Sequence, residues 1–196
     1  MRILIVGGSR VGGTRVGEWL GYELDIEYIH EPFAHWRREL GMEQNKRKLF
    51  TNITDSVIVK VFPGKELETI LSENGNWDKV IGLVRNNVEE CAQSMVRAED
   101  TNEWHKDYQI TDEWLKDNEG KINDAVIRVK EWRDRILNNP IVECQISYEG
   151  IYESGKDRDV LKEYLNVSEW KWETILRPEF RYRKDKVKGT HKKSLI

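Results

Sequence analysis

Cysteine is scarce in this chain: Cys91 and Cys144 are the only two among 196 residues, and both fall in apolar segments. Two isolated thiols make no disulfide framework, so free, buried cysteines are the expected state. No apolar run approaches the roughly 20 residues that a membrane helix requires, and no His/Cys spacing matches a zinc site. The chain starts directly on an apolar strand, leaving no room for a signal peptide. The expectation is a soluble, cytoplasmic protein with no membrane partner. Charge of one sign is also lacking. The net charge is −3 with 34% charged residues, which points neither to a nucleic-acid partner nor to a disordered chain. Repeats and low-complexity segments are absent. A single domain over residues 1–196 is expected at this length, ending in a basic segment over 177–196. From Arg177 to Lys193 eight Lys/Arg stand against two acids; such a segment suits an anionic ligand, or is a solvated tail.

What is present begins at the N-terminus. Ile3-Leu4-Ile5-Val6 reads as a short buried strand, Gly7-Gly8-Ser9-Arg10-Val11-Gly12-Gly13 as a glycine-rich turn, and helical spacing starts at Thr14. Strand, glycine loop and helix together cradle phosphate: backbone N–H groups converge on the anion and the helix N-terminus adds a partial positive charge. The ATP-binding pattern G-x-x-x-x-G-K-[ST] fits Gly7 to Thr14 at every position but one. Where its lysine should stand there is Gly13, and the cation inside the loop is Arg10. The dinucleotide pattern G-x-G-x-x-G fits less well, with Ser9 at its middle glycine. ATP-using proteins of this kind hold Mg²⁺ with an acid near a strand end. Here the strands run into Lys60 and Arg85 instead, so no metal is expected.

The remaining chain alternates strand and helix. Ile26–Ile29 is a strand leading to His30-Glu31-Pro32-Phe33, and Pro32 biases Glu31 toward extended geometry. Residues 34–50 are polar with a weak helical pattern. Strands are expected over 56–62, 80–84 and 141–146, and helices over 65–72, 88–95, 123–137 and 157–165. Residues 101–112, with Trp104, His105 and Tyr108, read as a loop or lid that could line an acceptor pocket. The alternation predicts an α/β, three-layer P-loop-NTPase-like fold with a central parallel sheet flanked by helices.

Arg10-Val11-Gly12-Gly13-Thr14 resembles the R/K-S-G-T-T loop of sulfotransferases that use 3'-phosphoadenosine 5'-phosphosulfate (PAPS). Two later stretches resemble the same family in the same order. Val84-Arg85 through Ser94 is similar to its strand–arginine–helix–serine signature, and Ser147-Tyr148-Glu149-Gly150 with the helix after it to its Y-E-D-L block. The resemblance covers roughly residues 2–35 and 56–167. It implies sulfuryl transfer from PAPS to a hydroxyl, or less readily an amine, of a carbohydrate or small-molecule acceptor, leaving 3',5'-ADP. Arg10, Val11, Gly12, Gly13, Thr14 and Arg15 would hold the phosphosulfate, Arg85 and Ser94 the 3'-phosphate, and Tyr148 would neighbour the adenine or ribose.

The departures from the family matter. Val11 replaces a usual Ser and Gly13 a usual Thr, and Gln93 stands at the usual serine offset, leaving Gln93 or Ser94 for the contact. Cytosolic members carry a catalytic His two residues after a strand-end Lys; here that position is Phe62. The implied base is then Glu31, with His30 second, and Lys60 would stabilise the leaving group. Lys188-Gly189 faintly resembles the family's late R-K-G element. The rival expectations are a nucleotide-dependent kinase or NTPase, and a nucleotide-binding module without activity.

Overall fold

The computed structural model describes residues 1–33, 56–102 and 110–170. The 34–50 stretch, the aromatic residues Trp104, His105 and Tyr108, and the basic segment with Lys188-Gly189 lie outside these. Five strands, β1 (Arg2–Gly7), β2 (Glu27–His30), β3 (Val57–Val61), β4 (Lys79–Val84) and β5 (Cys144–Ser147), form one sheet in the order β2-β3-β1-β4-β5. Every pairing is parallel; Leu4 at the centre lies opposite Val59 on one side and Val80 on the other. The helices are α1 (Gly13–Leu24), α2 (Lys65–Asn74), α3 (Val88–Thr101), α4 (Asp112–Asp117), α5 (Glu119–Leu137), α6 (Tyr148–Tyr152) and α7 (Lys156–Leu165).

Both faces of the sheet are covered, which is why β1 is apolar without alternation. Ile3 and Ile5 join Ile58, Ile81 and Leu83 in one layer, against Trp19 and Leu20 of α1, Cys91 and Met95 of α3, and Leu161 of α7. Leu4 and Val6 join Val57, Val59, Val61 and Val80 in the other, against Leu67 and Ile70 of α2 and Ile136 of α5. The central parallel sheet flanked by helices is therefore the expected α/β architecture. Both cysteines are free and buried. Among the described residues no helix is long and apolar enough to cross a membrane.

Several boundaries differ from the sequence reading, each for a local reason. The strand expected over 141–146 is β5, Cys144–Ser147. Val142 is apolar because it packs on Gly82, where a Cβ would come within 2.6 Å of its Cγ1. α3 runs on to Thr101, α5 begins four residues before Asn123, and α4 forms just after the stretch read as a loop, where no element was expected. Thr111 starts α4, its Oγ1 accepting from the Trp114 N–H at 3.2 Å. Directly after β5, Ser147 Oγ accepts from the Gly150 N–H at 3.0 Å and turns the Tyr148 block into α6.

The topology fixes where a ligand can sit. From β1 the chain leaves toward β2 at one edge, whereas from β4 it leaves toward β5 at the other. The loops after these two neighbouring strands diverge, and the crevice between them is the place where open α/β sheets bind ligands.

Candidate phosphate-binding site

The loop between β1 and α1 forms one wall of that crevice. Gly12 caps α1 in the left-handed region (φ 78°) with no side-chain cap, and the first turn of α1 carries no acid. By contrast, α2 and α3 each carry two glutamates in their first turns. Among the described residues the Gly13, Thr14 and Arg15 amides find no backbone acceptor. These are the orphan donors of a helix start, left with its partial positive charge for an external anion. Tyr152 fixes the turn: its Oη donates to the Gly12 carbonyl at 2.9 Å. A Cβ on residue 12 would lie 2.5 Å from the Tyr152 ring, so glycine is required for space as well as for φ. Val11 turns inward and is buried in the core, which leaves only its backbone for a ligand.

Arg10, Ser94 and Arg85 are brought together. Arg10 Nε donates to Ser94 Oγ at 2.7 Å, and Arg85 Nη1 donates to the Arg10 carbonyl at 3.3 Å. Of the two residues left open by the sequence, Ser94 is thus the one whose side chain meets Arg10. Arg85 is 7% exposed, its guanidinium lies 4.3 Å from the centre of the Tyr148 ring, and its Nη2 pairs with Glu90 Oε1 at 2.6 Å. The turn after β4 is pinned by Glu149, which accepts from the Asn86 and Asn87 N–H groups at 3.0 and 2.9 Å. Burial alone would raise the Glu149 carboxyl, but those backbone donors and Arg85 bring it below its usual value.

A second cluster stands at the ends of β2 and β3. Lys60 is 2% exposed and donates from Nζ to Glu31 Oε1. Its stem lies against Gly13: a Cβ there would meet Lys60 Cε at 2.6 Å. The ammonium also lies 4.8 Å from the Phe62 ring centre. His30 joins Glu31 (Nε2 to Oε2, 3.8 Å) to Thr14 and Tyr28, whose hydroxyls lie 3.4 and 3.1 Å from Nδ1. Arg15 leans over the Tyr152 ring at 5.7 Å. Backbone strain marks the same places. Among the described residues five non-glycine residues have positive φ; Asp25, Asn102 and Asn166 end helices, and the other two are Arg10 and Glu31, which at φ 40° does not take the extended geometry expected before Pro32.

Sequence reasoning missed four neighbours of the site: Glu18, Tyr28, Glu149 and Tyr152. Burial pushes the Glu18 carboxyl up to about 7 against the opposing pull of Arg15. Burial also raises the Tyr28 and Tyr152 phenols. One signal was available for Tyr28. Gly17 and Gly21 recur on one face of α1, and the Tyr28 side chain fills the room they leave. Among the described residues no group of three His, Cys, Asp or Glu could hold a metal ion.

The parallel sheet, the glycine loop after its central strand and the bare start of α1 define a P-loop-like α/β architecture. In keeping with this class, the chain is similar to mouse sulfotransferase SULT7A1, whose crystal structure is complexed with PAP: the TM-score is 0.58 and the identity 17%, with 89% of this chain and 62% of that one covered. It is also similar to shikimate kinase from Acinetobacter baumannii in complex with shikimate, at a TM-score of 0.50 and 17% identity over 84% of this chain and 93% of that one. The chain thus spans less than two thirds of the sulfotransferase. No family model matches it, and neither does any curated protein sequence. These likenesses show the fold, and the fold is common to a sulfotransferase and a kinase.

Proposed function

We propose that this chain is a PAPS-dependent sulfotransferase acting on a hydroxyl, or an amine, of a small-molecule or carbohydrate acceptor. The observation that carries the reading is the Gly13–Lys60 contact. The cation that ATP-type loops place at position 13 is absent, and a buried lysine from β3 stands against that position instead. With Arg10 and Arg85 on the other side, the anion would meet fixed cations. The chain shows basic residues where ATP-type sites keep a metal-binding acid.

In this reading the orphan amides at the start of α1, Thr14, Arg15 and Arg10 hold the phosphosulfate. Arg85 and Ser94 hold the 3'-phosphate, and Tyr148, which lies under Arg85, borders the nucleoside. The bond from sulfur to the bridging phosphate oxygen breaks while a bond from sulfur to the acceptor oxygen forms. Lys60 stabilises the negative charge left on the phosphate, and Glu31 takes the acceptor's proton, with His30 behind it. Preorganised cations of this kind are worth about 10²–10³ in kcat each. For Lys60 to turn toward the phosphosulfate, its pair with Glu31 must open, and that opening frees the carboxylate for the proton. One movement prepares both groups.

Calorimetry with 3',5'-ADP, without and with Mg²⁺, tests the reading. Metal-independent binding that is lost in Arg85→Ala is expected; preference for ATP with Mg²⁺ dependence would replace the sulfotransferase by a kinase or NTPase. With labelled PAPS and a panel of acceptors, Glu31→Gln should abolish turnover and leave nucleotide affinity nearly intact. Retained turnover would remove Glu31 from its role, and nucleotide binding with no turnover on any acceptor would favour an inactive binding module.

A further inference from the structure

The donors of Arg85 are unevenly committed. Nη1 points to the Arg10 carbonyl, and the guanidinium plane rests on Tyr148; both contacts belong to the buried wall of the crevice. Nη2 meets a different kind of partner. The Glu90 side chain is 53% exposed, against 8% for that of Arg85. Nε is buried and has no hydrogen-bond partner among the described residues. Among the described residues the carboxylate paired with the guanidinium is that of half-exposed Glu90, since Glu149 is held by the Asn86 and Asn87 N–H groups, while one inner donor is left unused.

A carboxylate and a phosphate ask the same of a guanidinium, N–H groups held in one plane. They cannot share Nη2. We propose that Glu90 is a competing residue that sets how strongly a phosphate is preferred at Arg85. Its carboxylate holds Arg85 until a ligand phosphate monoester displaces it, is not displaced by a ligand hydroxyl, and so moderates the preference. The proposal rests on the reading of Arg85 as the partner of a nucleotide 3'-phosphate.

Three features make Glu90 displaceable. The carboxylate end of its ion pair is half in water, where solvent screens it and can take it up once it leaves Arg85. Glu90 sits in the first turn of α3, where a carboxylate is favoured by the helix dipole even after it leaves Arg85. Its other oxygen, Oε2, accepts from Asn87 Nδ2 at 3.1 Å, so the side chain has somewhere to remain. A phosphate dianion arriving at Arg85 gains a charge-assisted pair in exchange for a screened one. A ribose hydroxyl would gain only a neutral hydrogen bond and leave Glu90 unpaired. Displacing Glu90 therefore costs the phosphate ligand alone, and the carboxylate lowers the preference for a phosphate over a hydroxyl at Arg85.

The test compares 3',5'-ADP with 5'-AMP, by titration calorimetry on the full chain at one fixed salt concentration. Glu90→Gln keeps the α3 cap, since the Asn87 side chain accepts from the backbone N–H of residue 90 and a glutamine oxygen still accepts from Asn87. The expected result is about 3- to 10-fold tighter binding of 3',5'-ADP to Glu90→Gln. Binding of 5'-AMP should change by less than about twofold, because that ligand leaves the Arg85–Glu90 pair closed. Glu90→Ala should raise the same ratio even where it costs helix stability. If wild type prefers 3',5'-ADP, Arg85→Ala removes the preference and neither Glu90 variant changes it, Glu90 is only a helix-capping residue and the proposal is overturned. If wild type shows no preference for 3',5'-ADP, the assignment of Arg85 to the phosphate fails first, and the role of Glu90 goes with it.

Discussion

The stem of Lys60 occupies the space in which a side chain at position 13 would begin, with Cε 2.6 Å from where that Cβ would stand. The two positions compete for one space: a side chain at position 13 could be accommodated only if the Lys60 stem moved aside. Restoring the ATP-type pattern by Gly13→Lys should therefore destabilise the chain by about 1–3 kcal/mol through overpacking. Lys60→Ala should recover much of that loss in the double variant. A double-mutant cycle from urea unfolding is expected to give a coupling of at least about 1 kcal/mol; additive effects would mean that the two side chains do not compete.

The Lys60–Glu31 pair is asymmetric in burial, 3% exposed on the lysine side and 20% on the glutamate side. Removing the carboxylate strands the more buried charge. Glu31→Gln should cost about 3 kcal/mol, more than Lys60→Met, which leaves Glu31 near water and His30. The combined Lys60→Met, Glu31→Gln variant should be more stable than Glu31→Gln alone. Guanidinium unfolding midpoints of the three proteins check the order.

Glu18 gives the fold a pH dependence of predictable sign. Its folded value, about 7, lies above the ordinary 4.5 because burial disfavours the carboxylate. Between these two values the folded chain holds a proton that the unfolded chain has released, so the Glu18 contribution to stability falls as pH rises from 4.5 to 7. Above 7 the loss is complete. Glu18→Gln should flatten this part of the profile and make the variant more stable than wild type at pH 8, while at pH 4 the two should be close. Unfolding at a series of pH values measures it.

The Tyr152 hydroxyl holds the Gly12 carbonyl at 2.9 Å. Tyr152→Phe should cost about 0.5–1.5 kcal/mol and weaken 3',5'-ADP binding by loosening the loop. Gly12→Ala should be worse, since it adds a left-handed alanine and a Cβ 2.5 Å from the ring. Phenylalanine at 152 keeps that ring, so the double variant should show no rescue.

Much of the fold was legible because its signals are local. The unbroken apolar run Ile3–Val6 announced a strand buried on both faces, and Gly7–Gly13 the turn after it. Lys60 was visible as a strand residue, but its direction was not. All five residues of β3 are buried, so there was no alternation from which to infer a face. Which of Gln93 and Ser94 meets Arg10 had the same character: one residue on a helix is about 100° of rotation, and only the docked helix turns Ser94 toward it. Tyr152 and Glu149 act across 140 and 62–63 residues of chain, a separation at which no periodicity or motif spacing carries information. Val142 looked like strand because packing on Gly82 demands an apolar residue whatever the backbone does.

The bond between Tyr152 and Gly12 also sets an order of events during synthesis. The glycine turn leaves the ribosome before the phenol that anchors it, which is made 140 residues later. β1 likewise waits for β3 and β4, its neighbours on either side. A nascent chain halted before α6 would display the turn without its clasp, so the turn should become fixed abruptly as α6 emerges.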